Sequence, residues 1–94
     1  MTLEVWFVTF SEKWADYEWQ NVGREPYKIF HKRESAIDYI VKRVALACDE
    51  RSGKVIRHEN CSGDGYFMYE WEETIDNEKK HYMMQIPGYP YYVE

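Results

Sequence analysis

The chain has 94 residues, 45% of them hydrophobic and 18% aromatic, and a net charge of −5, which fits a single small domain. No apolar run approaches the roughly 18 residues that a membrane-crossing helix needs, and an acidic total disfavours a long polyanion, whose binding is dominated by phosphate neutralisation. Two cysteines, Cys48 and Cys61, are too few for a disulfide framework, and the start MTLEVWFVTF lacks a basic leader and a small-residue cleavage site, so the expectation is a cytoplasmic protein.

From Leu3 to Phe10 nearly every residue is apolar or β-branched, and both alternating sets, Leu3/Val5/Phe7 and Trp6/Val8/Phe10, can be buried, which predicts a central strand. Ser11 to Glu25 is polar and aromatic, with Trp14, Tyr17 and Trp19 set among Glu12, Asp16 and Glu18. It reads as a long loop or a ragged hairpin arm. Pro26 then opens a short strand, Tyr27 to His31, because proline is tolerated at a strand's first position.

The period changes near Lys32. Ile37, Ile40, Val41, Val44 and Cys48, with Ala36, Ala45 and Ala47 beside them, fall on one side of a helix. Asp38 and Lys42 form an i, i+4 pair in the favourable order, the end is expected near Glu50 or Arg51 with Gly53 as terminator, and Arg33, Lys42 and Arg43 are assigned to the outer face. Residues 52–65 contain three glycines and two serines and read as a connection broken by a short strand at Lys54 to Arg57.

Two strand signals close the chain, Tyr66 to Glu73 and Lys80 to Ile86, joined by a turn at Asp76-Asn77. Phe67, Tyr69 and Trp71 point one way and Met68, Glu70 and Glu72 the other, so one face is apolar and the other turns acidic. The tail PGYPYYVE is too rich in proline for a central strand and is expected to run extended along the surface or onto a neighbour. The predicted fold is α+β: an antiparallel sheet of about four strands, ββαββ, with one helix across one face. The other face is left partly bare, which favours a homodimer.

Candidate chemistry is sparse. Cys48, His58, Cys61 and His81 are zinc-type ligands without zinc-site spacing, and Cys48 falls where a buried cysteine is usual. Cys61-Ser62-Gly63-Asp64-Gly65 resembles a flexible turn more than a nucleophile loop, and no catalytic signature accompanies it. A small enzyme built on Cys61 and His58 is the weakest class. No metal or cofactor is assigned.

Binding is better represented. Nine tyrosines and four tryptophans exceed what a thin core uses, and such rings concentrate binding energy at interfaces. Charge is segregated, with net values of −3, +4 and −6 for residues 1–23, 24–58 and 59–94. Glu70 and Glu72 lie on one strand face about 6.8 Å apart, and with Glu73 they can present a row of charge to a basic protein. Trp14, Tyr17, Trp19, Glu70, Glu72 and Glu73 are therefore the candidate partner-binding residues. The alternative is a small nucleotide or signalling molecule stacked on a ring such as Tyr66, with Arg24, Lys28 or Arg33 meeting phosphate.

The phrases EVWFVTF, YKIF and HKRESAIDYIVKRV, from Glu4 to Val44, together resemble the opening of many small accessory proteins encoded by phages and mobile elements: strand, insertion, strand ending in an aromatic, amphipathic helix. That resemblance implies a non-enzymatic inhibitor or sequestering agent aimed at a cellular protein. It carries no functional residue onto this chain.

Overall fold

The computed structural model describes residues 2–60 and 66–94. It contains β1 (Leu3–Trp14), β2 (Gln20–Asn21), β3 (Lys28–Phe30), α1 (Arg33–Glu50), β4 (Lys54–Asn60), β5 (Phe67–Ile75), β6 (Glu78–Ile86) and β7 (Tyr91–Val93). All seven strands join one open antiparallel sheet in the order β2-β1-β6-β5-β4, with β3 and β7 also paired to β1. The α+β class holds. The sheet has more strands than the expected four, and a different order, because β1 continues past Phe10 to pair β2 and β6 and its start takes the tail as β7, so that it serves four partners.

The extension of β1 follows from alternation. Phe10, Glu12 and Trp14 continue the side of Val8, while Thr9, Ser11 and Lys13 continue the side of Phe7, so six residues, Thr9 to Trp14, pair with Gln85 to Lys80 on β6. The backbone from β2 to β3 stays tied to β1, since the Val22 N–H donates to the Phe10 carbonyl at 2.9 Å and the Tyr27 N–H to the Val8 carbonyl at 2.9 Å. The proline-rich tail pairs by Val93 with Leu3, Tyr92 with Glu4 and Tyr91 with Val5. Pro87 and Pro90 lie before this short segment, so its ladder is not interrupted.

The predicted turn between β5 and β6 is present. Asp76 and Asn77 both take positive φ, 52° and 67°, the two-residue conformation that matches strand twist. At the end of α1 the left-handed residue is Ser52, with φ 54°. Gly53 has a different duty: a Cβ there would lie 2.7 Å from the Ala47 carbonyl, whose oxygen accepts the N–H bonds of both Arg51 and Gly53.

Helix α1 packs on one side of the sheet. Ala36, Ile40, Val44 and Ala47 face Trp6, Val8 and Phe10 of β1, Phe67 and Trp71 of β5, and Tyr82, Met84 and Ile86 of β6. At 100° per residue this stripe is turned by roughly 60° from the centre of the predicted set Ile37, Ile40, Val41, Val44 and Cys48. Cys48 is exposed, as is Val41. The two alanines let the helix approach large rings on the sheet, and the rotation carries Arg43 inwards.

Arg43 is thus corrected from the outer face to the core. Its guanidinium lies 5.3 to 5.8 Å from the ring centres of Trp71, Tyr82 and Phe10, and its Nη2 lies 3.2 Å from Glu73 Oε2. The same carboxylate oxygen accepts the Trp71 indole N–H at 3.0 Å. Glu73 continues the odd-numbered series Phe67, Tyr69, Trp71, and is only 2% exposed.

Candidate functional site

The side of the sheet opposite α1 is built from the other half of each alternating pattern. Leu3, Val5, Phe7, Thr9, Ser11 and Lys13 of β1 lie beside Tyr91 and Val93 of β7, Ile29 of β3, and Gln85, Met83 and His81 of β6. Met68, Glu70 and Glu72 of β5 continue the surface to Glu59, Arg57 and Lys54 of β4. Among the described residues no helix packs on this side, the helix contacts being with the face that carries the core, although Val5 and Met68 on it are buried, at 5% and 0% exposed.

This face divides into two chemically distinct ends. At one end Leu3, Ile29, Tyr91 and Val93 are each about half exposed, and Tyr91 stacks on Phe7 with ring centres 4.5 Å apart. At the other, charges alternate across the strands. Lys13, His81, Glu72 and Lys54 form one cross-strand row, and Ser11, Met83, Glu70 and Arg57 the next. Glu70 Oε1 lies 3.7 Å from Arg57 Nε and Glu72 Oε1 3.5 Å from Lys79 Nζ. Glu70 and Glu72 do share one face, but each has a basic neighbour. Glu73 leaves the acidic row altogether, because it faces α1 and is neutralised by Arg43.

The three aromatic candidates gather at the β1–β2 end. The Tyr17 N–H donates to the Trp14 carbonyl at 2.7 Å, closing the turn and leaving Tyr17 73% exposed. Trp19 lies against Lys13, whose Nζ is 5.0 Å from its ring centre. Trp14 lies on the helix side with Lys80 Nζ 5.1 Å from its ring centre. The structure therefore puts Trp19, Glu70 and Glu72 on the uncovered face, Tyr17 at the turn, and Trp14 and Glu73 on the helix side.

The alternative ligand set is not assembled. Lys28 lies over the Tyr27 ring at 5.6 Å, Arg33 donates to Asn60 Oδ1 at 3.3 Å, and Arg24 is exposed beside Glu25. Tyr66 alone of the four lines a cleft of about 470 Å³ on the uncovered face, with Phe7, Thr9, Glu25, Gln85 and Tyr91. Sequence reasoning missed this cleft because its walls come from five separate stretches of chain. The faint signal was Phe7 and Tyr91, two rings left over once the helix-side core was filled.

The zinc-type residues are dispersed among the described residues, and no three His, Cys, Asp or Glu side chains there can hold an ion together. The His58 Nδ1–H donates to the Met68 carbonyl at 3.0 Å, and the ring stacks on Tyr69 at 4.0 Å between centres. Cys61 and the run 61–65 lie outside the described residues. Among the described residues no helix is long and apolar enough to cross a membrane.

Three groups hold their protons more tightly than usual. Lys80 is raised first by its bond to Glu12, at 2.9 Å between Nζ and Oε2, against an opposing effect of burial. Burial raises Tyr82, and burial together with the neighbouring Tyr27 raises Tyr39. A raised folded value means that the folded state binds the proton more strongly, so this stability is fully present below the ordinary values, about 10 for tyrosine and 10.4 for lysine, and is lost as pH rises through the raised ones. The urea midpoint is expected to hold up to about pH 10 and to fall above it, and Tyr82→Phe to flatten that fall. An unchanged midpoint above about pH 10 rules out the linkage.

No protein-family model, curated protein or solved structure matches the chain.

Proposed function

We propose that the chain is a small non-enzymatic binding module that engages and blocks a cellular protein through the uncovered face of its sheet. The observation that carries this is the exposure of Leu3, Ile29, Tyr91 and Val93 together at one end of a face that no helix covers among the described residues. Grouped exposed apolar side chains mark interaction surfaces, whereas scattered ones do not. Trp19, Glu70 and Glu72 extend the same face and supply polar specificity at its charged end. Compensated rows of this kind favour a partner with matching alternation over one that is uniformly basic.

The test is quantitative capture from the native host with paired variants. Ile29→Asp combined with Val93→Asp places charge on the apolar end and is expected to reduce capture of a given partner at least tenfold, a change of about 1.4 kcal/mol. Asp49→Ser, on the exposed side of α1, is expected to leave it within twofold. Glu70→Lys with Glu72→Lys is expected to weaken capture at low salt and less at high salt. Equal capture by the wild type and the Ile29/Val93 double variant rejects the assignment of this face. Sedimentation of both proteins over a range of concentrations separates partner binding from homodimer formation through the same face.

A further inference from the structure

We infer that the cleft beside Phe7 and Tyr91 receives a cationic side chain of the partner, arginine above all, as the anchor of the interface; this deepens the binding reading above and rests on it. The cleft lies within the uncovered face and shares Phe7 and Tyr91 with its apolar end. Its lining is aromatic and acidic in character. Phe7, Tyr66 and Tyr91 contribute rings, Thr9 and Gln85 contribute neutral polar groups, and Glu25 is the only charged side chain lining it among the described residues.

Several contacts organise these groups. The Phe7 and Tyr91 rings are stacked with an interplanar angle of 26°. The Tyr66 hydroxyl donates to Gln85 Oε1 at 3.2 Å, and the Thr9 hydroxyl reaches the Gln85 carbonyl at 3.5 Å. Asn21 Nδ2 donates to Glu25 Oε2 at 2.7 Å, which steadies the carboxylate. A carboxylate has acceptor capacity for several donors, so this bond leaves Glu25 able to accept from a ligand.

The electrostatics select the occupant. Ring faces carry negative quadrupole density and attract cations, and a guanidinium can stack on a ring while its N–H groups meet a carboxylate. A phosphate would meet Glu25 with no cationic lining residue to offset it, so a nucleotide is disfavoured in this cleft. Arginine is also among the residues that dominate interface energetics when seated in a pocket.

The experiment is an NMR titration of isotopically labelled full chain with Nα-acetyl-argininamide, its neutral citrulline counterpart, and adenosine monophosphate. Saturable shifts at Phe7, Thr9 and Gln85 are expected with the arginine compound, with at least roughly tenfold weaker binding of the citrulline compound, the scale of a lost cation–π and charge contact. Glu25→Gln and Tyr91→Leu, each checked for a folded spectrum, are expected to weaken the arginine response severalfold. Equal response to citrulline, no saturable response to arginine, or stronger response of these residues to the nucleotide overturns the inference.

Partner capture distinguishes the two levels. If Ile29→Asp/Val93→Asp loses the partner while Glu25→Gln retains it fully, the face binds but the cationic anchor is wrong. If both capture like the wild type, the assigned face is wrong, and the titration still reports on the cleft directly.

Discussion

Glu73→Ala is expected to lower the free energy of unfolding by about 3–5 kcal/mol, because removing one member of a buried ion pair leaves the other charge uncompensated. Arg43 has little recourse when that happens. Its Nη1 is buried without a hydrogen-bond partner, and its nearest neighbours are the rings of Trp71, Tyr82 and Phe10. For a domain of this size, whose total stability is about 5–14 kcal/mol, such a loss leaves a substantial unfolded population. Glu73→Gln is expected to lose less, since an amide oxygen can still accept from the Trp71 indole. Arg43→Met combined with Glu73→Leu is expected to recover most of the loss, as replacing both buried charges by apolar groups often does. Urea unfolding followed by far-ultraviolet circular dichroism measures all four proteins. A Glu73→Ala protein within about 1 kcal/mol of the wild type would show that the pair contributes no more than an exposed one.

Trp71→Ala is expected to destabilise by a similar amount, about 3–5 kcal/mol, through lost burial and the cavity it leaves. Trp71 is fully buried and stacks with Phe10 and Tyr82 at 6.0 and 5.6 Å between ring centres. Its indole N–H also bonds Glu73. The Trp71 and Glu73 substitutions are therefore coupled, and their double mutant is expected to lose clearly less than the sum of the single losses. Trp71→Phe keeps a ring but gives up the bond to Glu73 and falls between wild type and alanine. Tyr17→Ser, at an exposed turn, sets the scale for a neutral change of within about 0.5 kcal/mol. A Trp71→Ala protein no less stable than Tyr17→Ser would remove the central role of this ring.

These effects concern the helix side of the sheet, whereas the proposed partner surface occupies the other side. Ile29, Tyr91 and Val93 are outside the buried cluster, so charging the exposed end changes binding with little change in the core. That separation makes the two sets of variants independent probes. It also explains why the strong Arg43–Glu73 pair carries no functional assignment: its charges face each other beneath α1.

Much of the local structure was legible before folding. The alternation of Phe67, Tyr69 and Trp71 against Met68, Glu70 and Glu72 correctly divides β5 between two faces, and extending it by one repeat puts Glu73 with the rings. The acidic run obscured that step, because carboxylates are expected in water. On α1 the ends were legible and the stripe in part: Ala36, Ile40, Val44 and Ala47 are buried as expected, whereas Val41, Ala45 and Cys48 are exposed. Arg43 sits at the flank of an alanine-rich surface, where a long cationic side chain ordinarily keeps its head in water, and its turn inwards towards Glu73 and the rings has no local signal. The extra length of β1 and the existence of β7 were hidden for a related reason: polar residues and prolines lower the local strand signal, while a neighbouring ladder supplies hydrogen bonds that a local pattern does not reveal.

The sequence by itself determined the α+β composition, the helix span, the Asp76-Asn77 turn and the two-faced character of β5, since each depends on the period and turn chemistry of neighbouring residues. Only the tertiary structure decided which face stays uncovered, that Glu70 and Glu72 have basic neighbours, and that Glu73 meets Arg43. It also decided the cleft, whose walls come from Phe7, Glu25, Tyr66, Gln85 and Tyr91. Those relations depend on register between strands distant in the chain, and in a sheet a shift of one residue exchanges every side chain between its two faces.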